Sequence, residues 1–209
     1  MADRWLLAHL ALTVTSATAA FESFDYAAAY ATVSRFFWSV FCDQYLEWIK
    51  DRLDDSALAT LREAFRALLG LFAPFAPFVT ESLYQRFFGL SEGAASLHVT
   101  AWPVVSPSWE GSTSLGDQLA VLVDATRALR SAARLGSNAR LAAVVLQAHS
   151  DDARVLAGTL TAPLRYAARA DAVLLGAAEH PTTLDGITID IRHTGGAVVG
   201  DLPRAHHRA

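Results

Sequence analysis

Phe36-Phe37-Trp38-Ser39-Val40-Phe41-Cys42-Asp43-Gln44-Tyr45-Leu46-Glu47-Trp48-Ile49-Lys50 carries aromatic rings at 36, 37, 38, 41, 45 and 48, with no glycine or proline to interrupt it. Such a run is too apolar for a helix lying on a surface with one face buried. The polar residues Arg35, Ser39, Asp43, Glu47 and Lys50 fall on one stripe, and the remaining circumference is apolar. The spacing predicts a long helix, from about Tyr26 to Asp51, central in a bundle. Asp25 is placed to cap its start.

The flanking sequence supplies the rest of that bundle. Upstream, Leu6, Leu7, Leu10, Val14, Ala17 and Phe21 recur every three or four residues and predict a first helix over 3–22. Downstream, Asp54-Asp55-Ser56 supplies a cap. Leu58, Leu61, Phe65, Leu68, Leu69 and Phe72 then line one face of a third helix, which Pro74 and Pro77 end or kink. Thr80 with Glu81 is expected to start a short helix through Phe88, with Gly89 stopping it. Residues 91–96 read as a loop, and 97–102 as an extended segment closed by Pro103. The helical body is therefore assigned to residues 1–105. The Ser-, Gly- and Pro-rich stretch 106–116 reads as a linker.

A small α+β unit is predicted over 117–200. A helix over about 115–134 ends at Gly136-Ser137-Asn138. A buried strand follows over 140–148, a helix over 151–162, and extended segments at 173–175 and 187–191. Residues 201–209 read as a frayed tail. The fold class predicted is mainly α, with a helical bundle followed by a small α+β subdomain.

Composition narrows the function. With 53% hydrophobic and 18% charged residues, the 209-residue chain has enough apolar surface for a real core, which excludes disorder. No window approaches the roughly 18 apolar residues of a membrane span. The single cysteine, Cys42, cannot form an internal disulfide, so a reduced, cytoplasmic setting is expected. The net charge of −4 hides an asymmetry. Residues 1–110 are acid-rich. Arginines 127, 130, 134, 140, 154, 165 and 169 face only Asp151 and Asp152 within 125–170, and local field matters more than the sum to a phosphate partner.

Five stretches in order resemble one family. They are Asp3-Arg4-Trp5-Leu6-Leu7, Phe24-Asp25-Tyr26, the aromatic run itself, Leu71 to Glu81 (LFAPFAPFVTE), and Leu97-His98-Val99-Thr100-Ala101-Trp102-Pro103. Together they resemble the anticodon-binding region of class I synthetases of the isoleucine, valine and leucine type. The Cys-Asp and Tyr-Leu-Glu pairs within the aromatic run favour the valine type. The resemblance is strong over residues 2–103 and weaker to about 175, where Arg127-Ala128-Leu129-Arg130-Ser131 is similar to the family's arginine-bearing helix. It implies the helical anticodon-binding bundle of that class, and tRNA as partner through its anticodon stem-loop. A separate catalytic subunit is a further partner it suggests. No cofactor, metal or catalytic residue is implied. The His-x-Gly-His and Lys-Met-Ser-Lys-Ser motifs of class I catalysis are absent, and with Lys50 the one lysine the second cannot be formed. The chain itself is therefore expected not to be an enzyme. The alternative is a protein-interaction or scaffold domain derived from a synthetase that has lost RNA binding, a reading that the acidic N-terminal half favours.

Each candidate residue has two readings. The aromatic rings either pack the core or stack on unpaired bases, with Trp38 and Trp48 bordering the polar stripe. Arg35, Asp43, Gln44, Glu47 and Lys50 either read base edges or form a solvated face with Glu47 and Lys50 paired. Arg127, Arg130 and Arg134, at i, i+3 and i+7, either hold phosphates or complement a helix C-terminus. The histidines lack metal-ligand spacing, and Gly195-Gly196 and Gly200 read as turns rather than a phosphate loop, since no helix is expected after them.

Overall fold

The computed structural model describes residues 1–50, 52–136, 139–177, 183–184 and 187–192. The chain divides into two units, Met1–Thr113 and Ser114–Ala209. Helices make up the first; in the second, two helices accompany a four-stranded sheet. The architecture is the mainly α one, with a small α+β part, that the apolar spacing predicts.

Helix α1 (Ala2–Glu22) buries Trp5, Leu6, Leu10, Val14 and Ala17. Thr13 and Thr18 fit within it because their hydroxyls donate to the carbonyls of His9 and Val14, at 2.7 and 2.8 Å. At its end Phe24 takes a left-handed conformation, φ 59°, and Asp25 accepts from the Ala28 amide at 2.9 Å. Helix α2 begins there and lies against α1. It is continuous but not uniform: α-helical over Tyr26–Arg35, π-helical over Phe36–Tyr45, and α-helical again over Leu46–Ile49. The Leu46 amide donates to the carbonyl of Phe41, five residues back. The regular α-helix expected over 26–51 is thus corrected in its middle; Asp51 lies outside the described residues.

Helix α3 (Asp55–Phe72) starts at Asp54, whose carboxylate accepts from the Ala57 amide at 2.9 Å. Helix α4 starts at Pro77, in the first helical position, rather than at Thr80. It runs as an α-helix over Pro77–Tyr84, a π turn over Gln85–Gly89 and a last turn over Leu90–Glu92. Gly89 does not stop it; Gly93, at φ 68°, does. Residues 97–102 are not a strand. Leu97–Val99 form a 3-10 turn, and Trp102 donates from its indole to Thr18 at 2.9 Å. Pro103 reaches α3 at Gly70, where a Cβ would meet its ring carbon at 2.7 Å. Within the stretch expected to be a linker, Trp109 is buried and its indole donates to Glu63.

A buried carboxylate joins three of these helices. Asp3 accepts from the Tyr45 hydroxyl at 2.8 Å, from Arg52 at 2.6 Å and from Ser56 at 2.7 Å. Trp5 and Trp48 pack against each other at a 30° tilt, centroids 4.5 Å apart. Burial alone would raise the Asp3 pKa, but the hydrogen bonds from Arg52, Ser56 and Tyr45 outweigh it and hold the carboxyl below its ordinary value. A second cluster, Leu69, Tyr84, Phe88 and Leu97, sits between α3 and α4. Over it Arg66 pairs with Glu92 at 2.8 Å, and Tyr84 donates to the same carboxylate at 3.0 Å.

In the second unit, helix α5 (Ser114–Ala132) precedes strand β1 (Leu141–Ala148). Helix α6 (Asp151–Ala167) crosses from β1 to the parallel strand β2 (Ala170–Leu175). Strand β4 (Ile187–Arg192) is antiparallel to β1 and to the short β3 (Thr183–Leu184), giving the order β2-β1-β4-β3. Leu119, Leu122 and Leu129 of α5 are buried, as are Leu141, Val144 and Leu146 of β1. Ser137, Asn138 and the expected tail at 201–209 lie outside the described residues.

Two outcomes follow from this packing. Asp3→Asn is expected to cost about 1–3 kcal/mol at neutral pH, because Tyr45, Arg52 and Ser56 lose a charged acceptor while the part-exposed Arg52 keeps access to water. Since the folded pKa of Asp3 is lowered, its stabilisation is present above the unfolded value of about 3.9 and lost as pH falls through the folded one. Urea melts from pH 7 to pH 2.5 should converge for the wild type and Asp3→Asn at the acid end; a constant gap would contradict the assignment. Gly70→Ala should lower the melting temperature by pushing Pro103 off α3, whereas Gly111→Ala, with open space around it, should not.

Candidate nucleic-acid interface

Burial along α2 repeats every four residues. Val33, Phe41, Tyr45 and Ile49 are buried and Phe37 is half-buried; Phe36, Gln44 and Trp48 are buried and Val40 is half-buried. Opposite the Val33 row and next to the Phe36 row, Ala31, Arg35, Ser39 and Asp43 are exposed and Glu47 is half-exposed. An α-helix of 3.6 residues per turn would rotate a four-residue row by about 40° at each step and scatter it. The i→i+5 segment takes in more than four residues per turn, so its drift runs the other way and partly offsets that of the α-helical stretch before it.

This geometry sorts the predicted residues. Arg35 and Asp43 are on the exposed row. Trp38, 61% exposed, stands beside it with its ring edge-on to Phe37, centroids 4.8 Å apart. Lys50 is exposed and pairs with Glu47 at 2.5 Å, three residues earlier. Gln44 is not on this surface: it lies on the row of Phe36 and Trp48 and is 8% exposed. Trp48, expected near the stripe, is 4% exposed and packed against Trp5. Burial, then the Asp43 charge, pushes the Cys42 thiol up, the opposite of what a nucleophilic thiolate needs.

The three arginines of the second unit do not share one exposed face. Arg127 is half-exposed and pairs with Asp124 at 2.8 Å. Arg130 is 6% exposed, and its guanidinium donates to the carbonyl of Ala168. Burial, and then the charges of Arg169 and Arg127, lowers its pKa, yet an arginine remains protonated at neutral pH. Arg134 is exposed but lies beyond the end of α5, in a left-handed turn at φ 55°. The i, i+3, i+7 stripe therefore ends as one exposed side chain past the helix, one paired side chain, and one buried side chain that ties α5 to the turn before β2. Arg169, half-buried beside Arg130, was not singled out by sequence spacing; only the chain reversal after α6 brings it there.

A family model for the anticodon-binding domain of tRNA ligases matches residues 3–146. The chain belongs to that family. Relatives of this anticodon-binding domain include the valine–tRNA ligase of Haloarcula marismortui, 40% identical over 151 residues that make up 70% of this chain and 16% of that protein. The valine–tRNA ligase of Leifsonia xyli is 33% identical over 202 residues, 93% of this chain and 21% of that protein. That of Thermobifida fusca is 40% identical over 146 residues, 66% of this chain and 16% of that protein. The chain thus corresponds to the anticodon-binding region of valine–tRNA ligases and spans about a sixth to a fifth of their length. Among the described residues, no helix is long and apolar enough to cross a membrane.

The sorting has a measurable consequence. Arg130→Ala should cost about 1–3 kcal/mol in chemical denaturation, because the Ala168 carbonyl loses its donor. Arg134→Ala and Asp43→Asn, both on exposed side chains, should stay within about 0.5 kcal/mol of the wild type.

Proposed function

We propose that this domain binds the anticodon stem-loop of a tRNA of the valine type, through the exposed row of α2. The observation that carries the reading is that row: Arg35, Ser39, Asp43 and Glu47 in line, with Trp38 standing 61% exposed beside them, on the helix that bears the family's aromatic motif. Unpaired loop bases present edges and faces. Carboxylates and guanidinium groups pair with the edges, and an exposed indole stacks on a face. Lys50 and Glu47, both substantially exposed, lose little when their pair opens to a base or a phosphate. Gln44 and Arg130 are buried, so in this reading they hold the surface rather than touch RNA. Arg127 and Arg134 of the second unit are left to hold phosphates, which position the RNA without reading it.

The domain contributes recognition, not chemistry. Amino-acid activation in such a system falls to a catalytic domain bearing the class I motifs, on the same polypeptide or on a separate one. The chain of 209 residues is expected to give no valine-dependent ATP–pyrophosphate exchange by itself.

Fluorescence anisotropy with valine tRNA and an unrelated tRNA, at two salt concentrations, tests the reading. The chain should bind valine tRNA more tightly. Arg134→Gln should weaken both complexes alike and reduce the salt slope by roughly 0.7–0.9. Asp43→Asn should change the discrimination between the two RNAs by about 1–3 kcal/mol. No binding to either RNA at low salt would overturn the proposal; equal binding to both would leave a phosphate surface without anticodon recognition.

A further inference from the structure

The second unit carries its charge unevenly. Its crossover α6 returns the chain from the far end of β1 to the end where β1 begins, so Arg165 in the last turn of α6 and Arg169 in the turn after it both arrive there. The Leu141 amide donates to the Arg169 carbonyl at 3.1 Å and fixes that turn beside the start of β1. Strand β4 is antiparallel to β1, and Arg192 at its end stands opposite Ala143. Helix α5 ends at the same place, since Arg130 reaches the Ala168 carbonyl, and Arg134 follows it. Arg140 immediately precedes β1. The acidic start of α6, Asp151 and Asp152, lies at the other end.

Few carboxylates answer these arginines. Among the described residues, Asp171 pairs with Arg140, and Asp190, two residues before Arg192, is 4% exposed and accepts from the Ile191 amide. Arg134, Arg165 and Arg192 are exposed, and none of the three has an ion pair among the described residues. Helix dipoles account for Arg130 and Arg165, at the ends of α5 and α6, but not for Arg192 at the end of a strand. Little else is offered with the charge. Tyr166 is the one Phe, Tyr or Trp in residues 114–209, and Arg165 lies over its ring at 4.9 Å. The exposed Leu174 and Leu175 belong to the far end of β2, and Val155 to the first turns of α6. A protein partner would need an apolar anchor at the centre of its interface, and a single strand would need rings on which to stack its bases. Guanidinium groups without either fit phosphates, each presenting paired N–H donors to paired oxygens.

We propose that this end of the second unit holds the phosphate backbone of a base-paired RNA stem, with Arg134, Arg165 and Arg192 on phosphates and no base read. That the duplex is RNA rests on the anticodon reading above; the backbone contact does not, because it lies wholly within the second unit and asks nothing of the loop. A duplex turns its bases inward and its phosphates outward, which is what a surface of charge without rings can grip. Arg130 and Arg169 stand behind the three exposed side chains. The charges of Arg169 and Arg127 are close enough to Arg130 to add to its burial in lowering its pKa, so the positive potential at this end is collective.

Anisotropy of the full chain with a blunt RNA duplex that has no loop, at several salt concentrations, tests it. The wild type should bind at low salt. Arg165→Gln together with Arg192→Gln should weaken binding about tenfold and reduce the salt slope by roughly 0.9 for each lost contact. Arg134→Gln alone, outside helix and strand, should reduce the slope by roughly 0.9. Arg154→Gln, at the acidic end of the same unit and paired with Asp151 at 3.0 Å, should change neither affinity nor slope. Failure of the wild type to bind the duplex, or wild-type affinity and slope in the double variant, would overturn the proposal. So would an equal loss in Arg154→Gln, which would reduce the effect to net charge. Poly-glutamate of equal charge that displaces the duplex better than unlabelled duplex does would assign this end to an acidic protein segment and overturn it as well. A chain that takes the duplex, loses it in the double variant, and yet does not tell valine tRNA from another would support the basic end while removing the anticodon reading.

Discussion

The carboxylate of Asp3 holds the first unit together at one point. It sits near the start of α1 and takes hydrogen bonds from the end of the π segment, through Tyr45, from the segment before α3, through Arg52, and from the first turn of α3, through Ser56. A carboxylate this buried would be costly without partners, and three donors meet that cost. The same contact fixes the rotation of α2 about its axis at Tyr45. Tyr45 lies on the row of Phe41 and Ile49, so fixing it inward fixes Arg35, Ser39 and Asp43 outward. The surface proposed to meet RNA is therefore set by a hydrogen bond on the opposite side of the helix.

The π segment extends that control over the length of α2. Ten residues of i→i+5 bonding are an uncommon expense for a helix, and such segments recur at functional sites. Here the α-helical and i→i+5 stretches drift in opposite senses, and Arg35, Ser39, Asp43 and Glu47 face outward while two rows face inward. Recognition of a base needs edges and faces held in a constant relation, and a rigid helix anchored through Tyr45 supplies that better than a loop would.

Much of this was legible in the residues, and the failures are instructive. The extents of α1 and α3, the strands β1 and β4 and the cap at Asp25 follow from apolar spacing and side-chain capping, which are local. The four-residue repeat of α2 was also written in the chain, as Val33, Phe37, Phe41, Tyr45 and Ile49 against Arg35, Ser39, Asp43 and Glu47. Grouping Gln44 with the stripe by its polarity, rather than by its place in the row of Phe36 and Trp48, put it on the wrong face. Trp48 is expected outward because it borders that stripe, yet its place in the row of Phe36 and Gln44 turns it inward. Arg130 could not have been assigned inward from spacing alone, because its acceptor, the Ala168 carbonyl, lies 38 residues away across a strand and a helix. Leu97 to Trp102 looked extended because β-branched and aromatic residues favour strands, but Trp102 finds Thr18 and Pro103 finds Gly70, and those tertiary contacts decide the conformation.

The central claim, that the outward row of α2 forms the RNA surface, is tested most directly by hydrogen–deuterium exchange of the full chain with and without saturating valine tRNA. The account predicts slowed exchange in peptides covering residues 31–50, with little change in those covering α3. Protection absent from 31–50, or confined to the second unit, would contradict it.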